Sequence, residues 1–165
     1  MPRLLYLDFD GVLHPTTGND LFCRMHLLEE TLIGKDCQII ISSSWRFHHP
    51  FEYLLDLFPE SLRRQVAGVT GDAFVGRWPR HSEILIDVSK RSGRWRALDD
   101  SWIQYPKDCP ELIRCNPNSG MGSKETDELS SWLATQQPCL GVASTCSMKS
   151  VYRFGGIPVH AQRQL

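Results

Sequence analysis

Short apolar segments that alternate with helix-like patterns constrain the fold of this chain more than any other feature of its sequence. Apolar residues at helical spacing predict helices between the first four segments and after the fifth. This alternation is typical of an α/β domain, in which a sheet lies between layers of helices. We therefore predict an α/β fold with a mainly parallel five-stranded sheet. The predicted strands are residues 4–7, 38–41, 66–69, 94–98 and 112–114, and the predicted helices are residues 22–32, residues 50–58 and two that begin at Pro79 and Ser123.

Length and composition favour one soluble domain. The chain has 165 residues, of which 41% are apolar and 22% charged, and its net charge is −1. This balance excludes a strongly cationic nucleic-acid coat protein, and no apolar run reaches the ~20 residues of a membrane span. Asp8 and Asp10 interrupt the apolar N-terminus before a signal peptide develops, so we expect a cytoplasmic protein with no membrane partner. We predict one domain over residues 1–137 and a C-terminal extension over residues 138–165, with a hairpin within residues 151–159.

Polar side chains follow three of the predicted strands, at the point where each strand ends. Asp8 and Asp10 follow the first strand, serines 42–44 follow the second, and Asp99 and Asp100 follow the fourth. Because parallel strands end at one edge of a sheet, where ligands bind, we expect these side chains to converge. Crowded carboxylates repel one another, and a divalent cation removes that conflict. Mg²⁺ fits such a site because it takes a few carboxylates together with water and substrate phosphate.

The residues at this edge resemble the motifs of the haloacid dehalogenase (HAD) superfamily. Residues 7–13 resemble its first motif, the hydroxyl after the second strand resembles its second, and residues 98–101 resemble its acidic fourth motif. The resemblance covers residues 3–135 and implies a Rossmann-like three-layer sandwich. Residues 42–46, residues 68–70 and Arg80 with Glu83 further resemble the HAD domain of Swiss-army-knife RNA-repair proteins.

The resemblance implies a role for each acidic residue. Asp8 corresponds to the nucleophile and Asp10 to the general acid and base, and an aspartate at the second position implies phosphoryl transfer rather than dehalogenation. The implied Mg²⁺ ligands are the Asp8 carboxylate, the Asp10 backbone carbonyl and the pair Asp99 and Asp100. Of that pair, we expect Asp100 to bind directly and Asp99 through water.

The residues that would bind the substrate phosphate are less well defined. Either Ser42 or Ser43 matches the hydroxyl of the second motif, since counting from the isoleucines favours Ser42 and counting from Trp45 favours Ser43. The lysine of the third motif is missing, and Arg80 is the best-placed cation to replace it. We expect Lys90 to lie past the end of its helix, at the opposite edge of the sheet.

The linkers of this chain leave no room for the cap domain that many HAD proteins insert over the site. An open site suits phosphates on large molecules, so we expect a Mg²⁺-dependent phosphatase that acts through an aspartyl-phosphate. RNA or DNA ends are the first candidate substrates and small phosphomonoesters the second. The alternatives are a receiver-like phospho-acceptor without turnover and a degenerate HAD module that only binds. Trp45 and Arg46 either bind a base and a phosphate at the rim or form a core tryptophan and a salt-bridged arginine.

Overall fold

A computed structural model describes residues 1–135 of the chain. These residues form strands and helices in the predicted alternating order. The strands are β1 (Arg3–Leu7), β2 (Gln38–Ile41), β3 (Val66–Val69), β4 (Arg94–Asp99) and β5 (Leu112–Arg114). The helices are α1 (Met25–Leu32), α2 (Phe51–Asp56), α3 (Glu60–Arg63), α4 (Pro79–Arg91) and α5 (Ser123–Ala134), with one 3₁₀ turn over Ser44–Phe47.

The five strands form one sheet in the order β3-β2-β1-β4-β5. All four pairings are parallel, so the sheet is wholly rather than mainly parallel. The first strand lies at the centre, with Leu7 paired to Ile41 of β2 on one side and to Leu98 of β4 on the other. The predicted α/β fold and Rossmann-like architecture are therefore confirmed, and β1, β2 and β4 end side by side.

Alternation along the strands gives the sheet two apolar faces. On one face, Leu5, Leu7 and Ile39 pack in a large core with side chains of α1, α2, α3 and α5. On the other face, Leu4 and Tyr6 pack in a smaller core with Ile84 of α4 and with Tyr105. The sheet is thus the middle of three layers, and one of the outer layers consists of α4 and the loop after β4.

Two helices differ from their sequence prediction. The first begins at Met25 rather than near Phe22, because Phe22 has a left-handed backbone (φ 60°) that no α-helix continues. The second ends at Asp56, and Pro59 then precedes a separate short helix, α3, instead of closing a longer one. A proline just before a helix fits because its fixed φ suits the first turn.

The described residues carry no cap domain between β1 and β2 or between β3 and α4. Within residues 1–135, no helix combines the length and the apolar character that crossing a membrane requires. The predicted hairpin within residues 151–159, and the extension over residues 138–165, lie outside the described residues, so the domain boundary at residue 137 stays a prediction.

Candidate active site

The ends of three neighbouring strands place acidic and hydroxyl side chains at one edge of the sheet. Asp8 follows β1, and its backbone N–H donates to the Leu98 carbonyl of β4 at 3.0 Å, which extends the sheet by one residue. Ser43 follows β2, and Asp99 is the last residue of β4. All three side chains are buried, with Asp8 7% exposed and Asp99 1% exposed. Parallel topology therefore brings together residues that are remote in sequence.

Three carboxylates form a compact cluster at this edge. One oxygen from each of Asp8, Asp99 and Asp100 lies within 4.8 Å of the other two. Gly11 makes the approach of Asp100 possible, because a Cβ at Gly11 would stand 2.4 Å from Asp100 Oδ2. Two buried carboxylates and a half-buried third, all hard oxygen donors around a common point, fit a divalent cation such as Mg²⁺.

Burial and mutual repulsion disfavour the charged forms of these carboxyl groups when no metal ion is bound, even with Arg80 nearby. Burial raises the pKa of Asp8, although Arg80, the Phe9 backbone N–H and the Ser43 hydroxyl favour its charged form. Burial and the nearby Asp8 carboxylate raise the pKa of Asp99 to about 7. Burial also raises the pKa of Asp100. A divalent cation would reverse these shifts, since a positive charge favours the ionised carboxylates.

Arg80 is the cation that the structure places against this cluster. It is the second residue of α4, and its Nη1 atom lies 3.5 Å from Asp8 Oδ1 and 3.7 Å from Asp99 Oδ2. Burial opposes its charge, but the Asp8 and Asp99 carboxylates hold the pKa of Arg80 above its ordinary range. Nη1 is buried and makes no hydrogen bond within the described part of the chain. Lys90 lies in the last turn of α4 rather than beyond it, ten residues and roughly 15 Å along the helix axis from Arg80.

Asp10 is not part of this cluster, and two other side chains contact its carboxylate. Its Oδ2 accepts a hydrogen bond from the indole N–H of Trp45 at 2.9 Å. Its Oδ1 lies 3.1 Å from Nε2 of His14, which is 3% exposed and donates because a carboxylate only accepts. The Asp10 side chain itself is 43% exposed, so substrate and water can reach it. Asp8 and Asp10 are therefore two residues apart in sequence but differ sharply in surroundings.

The two candidate serines also differ in their contacts. The Ser43 hydroxyl bonds to the Asp8 carboxylate and accepts a hydrogen bond from the Trp45 backbone N–H at 3.4 Å. The Ser42 hydroxyl is buried and has no hydrogen-bond partner within residues 1–135. Ser43 is thus the serine in contact with the predicted nucleophile.

The structure supports the salt-bridge alternative for Arg46 and only part of the core alternative for Trp45. Arg46 is salt-bridged, since its Nη2 lies 2.6 Å from Glu83 Oε2 and its Nη1 donates to the Ser43 carbonyl at 2.8 Å. Trp45 packs edge-on against Phe9 but uses its N–H on Asp10. Arg46 is therefore engaged within the fold, whereas the half-buried Trp45 is not a fully buried core tryptophan, and its contact with a base stays a prediction.

Sequence reasoning missed one partner of the rim carboxylates and did not predict the contact of another. Tyr105 is buried and donates its hydroxyl hydrogen to Asp99 Oδ2 at 2.9 Å. No local pattern marks this tyrosine, because its contact depends on the path of the loop after β4. The sequence places His14 near this edge of the sheet and favours a polar loop residue there, whereas the structure buries its ring with Nε2 3.1 Å from Asp10 Oδ1.

Comparison with known proteins identifies a family for this arrangement. The family model for the HAD domain in Swiss Army Knife RNA repair proteins matches residues 4–126. No curated protein and no solved structure matches the chain. The matched range contains all the rim residues described above, including Asp8, Arg80, Asp99 and Asp100.

Proposed function

Since the chain belongs to the family of HAD domains found in Swiss Army Knife RNA repair proteins, we propose that it is a Mg²⁺-dependent phosphatase that acts through an aspartyl-phosphate. The observation that carries the proposal is the buried cluster of Asp8, Asp99 and Asp100, with Arg80 against it. HAD domains are typically phosphohydrolases. Carboxyl groups with pKa values raised by burial, at an edge of the sheet where ligands bind, support a functional site here.

In the first step, an Asp8 oxygen attacks phosphorus and the bond between phosphorus and the leaving oxygen breaks. Asp10, in its protonated form, donates the proton that the leaving oxygen needs. In the second step, water attacks the aspartyl-phosphate, Asp10 takes the proton from that water, and phosphate leaves with Asp8 restored. Asp10 is suited to both transfers because Trp45 and His14 fix its orientation while its carboxyl group stays accessible.

The remaining rim residues prepare the site for a dianionic substrate. A divalent cation held by Asp8, Asp99, Asp100 and the Asp10 backbone carbonyl would neutralise the carboxylates and polarise the phosphate. Arg80 Nη1, which has no hydrogen-bond partner among the described residues, is positioned to donate to a phosphate oxygen. Ser43 is the better candidate for the second donor, because its hydroxyl already contacts Asp8.

The open rim favours phosphates that a large molecule presents. The described residues supply no cap domain, so we propose that the substrate or a partner excludes water from the reacting centre. We propose RNA or DNA ends as the first substrate class and small phosphomonoesters as the second, in line with the RNA repair proteins that give the family its name.

A substrate panel with Mg²⁺ tests this proposal. The panel contains RNA and DNA oligonucleotides with 3′- or 5′-phosphates and an aryl phosphate, each assayed for released phosphate. We expect turnover in the wild type and a loss of about 10³-fold or more in Asp8→Asn, because the amide is not a nucleophile. Asp36→Asn, an exposed aspartate before β2, is the matched control and should keep wild-type rates. Undiminished turnover in Asp8→Asn would contradict the nucleophile assignment.

A degenerate, binding-only module is the second candidate, and the missing third-motif lysine is the observation that favours it. Such a module would bind phosphorylated oligonucleotides without releasing phosphate in any arm of the panel. A receiver-like protein would instead keep its phosphoryl group for minutes after the donor is removed.

A further inference from the structure

A cavity opens beside the acidic cluster. It lies between the segment that follows Asp100 and the segment that precedes Arg80, and its volume is about 320 Å³. Tyr105 connects the two sites, because it lines this cavity and its hydroxyl donates to Asp99 at 2.9 Å. A cavity of this size is at the lower end of small-molecule sites and can hold one nucleoside. The base cleft, as we call it, is lined by Arg77, Trp78, Trp102, Ile103, Tyr105 and Lys107.

Two large apolar side chains of the base cleft are exposed rather than packed in a core. Trp102 is 64% exposed and Ile103 is 65% exposed, two and three residues after the acidic cluster. Within residues 1–135, the Trp102 side chain makes no hydrogen bond and no ring contact. Trp78 has a left-handed backbone (φ 54°), which is costly for a bulky residue. The exposed indole face of Trp102 is therefore available to a planar partner.

The charges of the base cleft indicate what kind of partner fits. Arg77 and Lys107 are exposed, and no carboxylate is among the described residues that line the cleft. The Arg77 guanidinium lies 4.1 Å from the centre of the Trp78 ring, which holds its charge over the aromatic wall. Aromatic faces beside cations are how proteins bind single-stranded nucleic acid, with bases stacked on the rings and phosphates near the cations.

We propose that the base cleft binds the terminal nucleoside of a single-stranded nucleic acid whose end phosphate lies at Asp8. Trp102 stacks on the terminal base, and Lys107 and Arg77 contact the phosphate that links this nucleoside to the next one. The inference rests on the proposed function, since the cleft adds a specificity site to the phosphatase centre. The base cleft would also make the site specific for polynucleotide ends over other phosphates.

The test compares a phosphorylated RNA hexanucleotide, its DNA counterpart, a mononucleotide, a phosphotyrosine peptide and an aryl phosphate. In Trp102→Ala, kcat/KM on the hexanucleotides should fall about tenfold further than on the aryl phosphate, because stacking on one base is lost. Trp102→Phe should recover most of the loss, since phenylalanine also stacks. In Lys107→Gln, hexanucleotide affinity should depend less steeply on salt, by about one unit of log–log slope, because one phosphate contact is removed.

A matched control lies at the opposite edge of the sheet. Ile33→Ala with Lys35→Ala removes an exposed apolar residue and an exposed lysine, and should change no rate. Equal losses on the aryl phosphate and the hexanucleotides in Trp102→Ala would overturn the base cleft while leaving the phosphatase intact. If Trp102→Ala lowers kcat/KM on the phosphotyrosine peptide rather than on the hexanucleotides, a nucleic-acid strand is not the occupant of the base cleft. The same conclusion follows if Trp102→Ala loses as much on the mononucleotide as on the hexanucleotides while Lys107→Gln has no effect.

Binding is measured separately so that the two proposals can fail independently. Anisotropy of a fluorescein-labelled hexanucleotide with the Asp8→Asn protein needs no turnover. If the wild type releases no phosphate but Trp102→Ala weakens this binding about tenfold, the phosphatase proposal fails and the cleft stands. If Trp102→Ala binds the labelled strand as tightly as its parent does, the cleft assignment is wrong.

Discussion

At the scale of single residues, the rim separates two carboxylates that stand two positions apart. Asp8 is buried in the acidic cluster against Arg80, whereas Asp10 is half-exposed and bonded to Trp45 and His14. A nucleophile and an acid–base group need different surroundings, because one must stay ionised and the other must exchange protons. In the proposed mechanism, the surroundings of Asp8 and Asp10 rather than their residue type distinguish the two roles.

The Trp45 hydrogen bond gives the first residue-scale prediction. Trp45→Phe keeps an aromatic ring beside Phe9 but removes the N–H that donates to Asp10 Oδ2. We expect kcat to fall about tenfold for alkyl phosphates, whose leaving oxygen needs a proton, and much less for a nitrophenyl phosphate, which leaves without one. Trp132→Phe makes the same substitution in α5, outside the candidate site, and should leave kcat unchanged on both substrates. An equal loss on both substrates would mean that Trp45 acts through packing alone.

Arg80 gives the second residue-scale prediction. Arg80→Ala removes the cation that lies against Asp8 and Asp99, so we expect kcat/KM on the aryl phosphate to fall about 10²-fold. Arg80→Lys should recover part of this loss, because a lysine supplies charge without the bidentate fork. Arg63→Ala, which removes a half-exposed arginine on α3, should leave the rate unchanged. Wild-type kinetics in Arg80→Ala would show that another group binds the phosphate.

The position of the acidic pairs could be predicted from sequence, but their partners could not. Asp8 and Asp99 follow apolar runs, and parallel topology alone brings such strand ends together. The contacts of Trp45 with Asp10 and of Tyr105 with Asp99 depend on loop paths, which carry no periodicity. The choice between Ser42 and Ser43 depended on the exact residue at which β2 ends. The sequence pattern does not fix that residue, and the structure places it at Ile41.

At the scale of elements, tight turns at strand ends position the rim. The turn after β1 has a left-handed Gly11 (φ 71°). The Asp100 side chain occupies the space that a Cβ at Gly11 would need. The segment patterns predicted the strands well because apolar runs with polar ends are strong signals. They predicted the helix boundaries less well. Tertiary packing rather than local pattern sets the left-handed backbone of Phe22 and the break at Pro59 between α2 and α3.

The turn gives a prediction with a closely matched control. Gly11→Ala forces a methyl group to within 2.4 Å of Asp100 Oδ2, so Asp100 must move out of the acidic cluster. Gly34→Ala has nearly the same backbone strain (φ 70°) but meets nothing within 4 Å. Both variants should lose about 1–2 kcal/mol of unfolding free energy from strain. Mg²⁺ affinity, measured by calorimetry, should fall in Gly11→Ala alone, and equal affinities would contradict the placement of Asp100 at the metal site.

At the scale of the whole molecule, the metal-free protein should lose stability at neutral pH because of its own site. The pKa of Asp99 is raised from 3.8 to about 7 by burial and by Asp8. A carboxyl whose pKa is raised on folding favours the folded state below about pH 4, and this advantage is lost as the pH rises through 7. The acidic cluster thus lowers the stability of the folded state at neutral pH, and a bound metal ion would remove this cost.

Denaturant unfolding in EDTA tests this behaviour. The unfolding free energy of the wild type should fall by about 1.4 kcal/mol or more between pH 5 and pH 8, since one pKa unit corresponds to that energy. Asp99→Asn should show a clearly smaller fall, and Mg²⁺ should stabilise the wild type more at pH 8 than at pH 5. Parallel pH profiles for the wild type and Asp99→Asn would contradict the raised pKa.

Trapping the phosphoenzyme tests the central claim, that Asp8 carries the phosphoryl group, most directly. The protein is mixed with a phosphorylated substrate and Mg²⁺ and quenched in acid, then reduced with borohydride, which converts a phosphorylated aspartate to homoserine. Mass spectrometry of the peptides should locate homoserine at position 8, with more of it in Asp10→Asn, where hydrolysis of the intermediate is slowed. Homoserine at another aspartate, such as Asp72 after β3, or none at all while the wild type releases phosphate, would contradict the account.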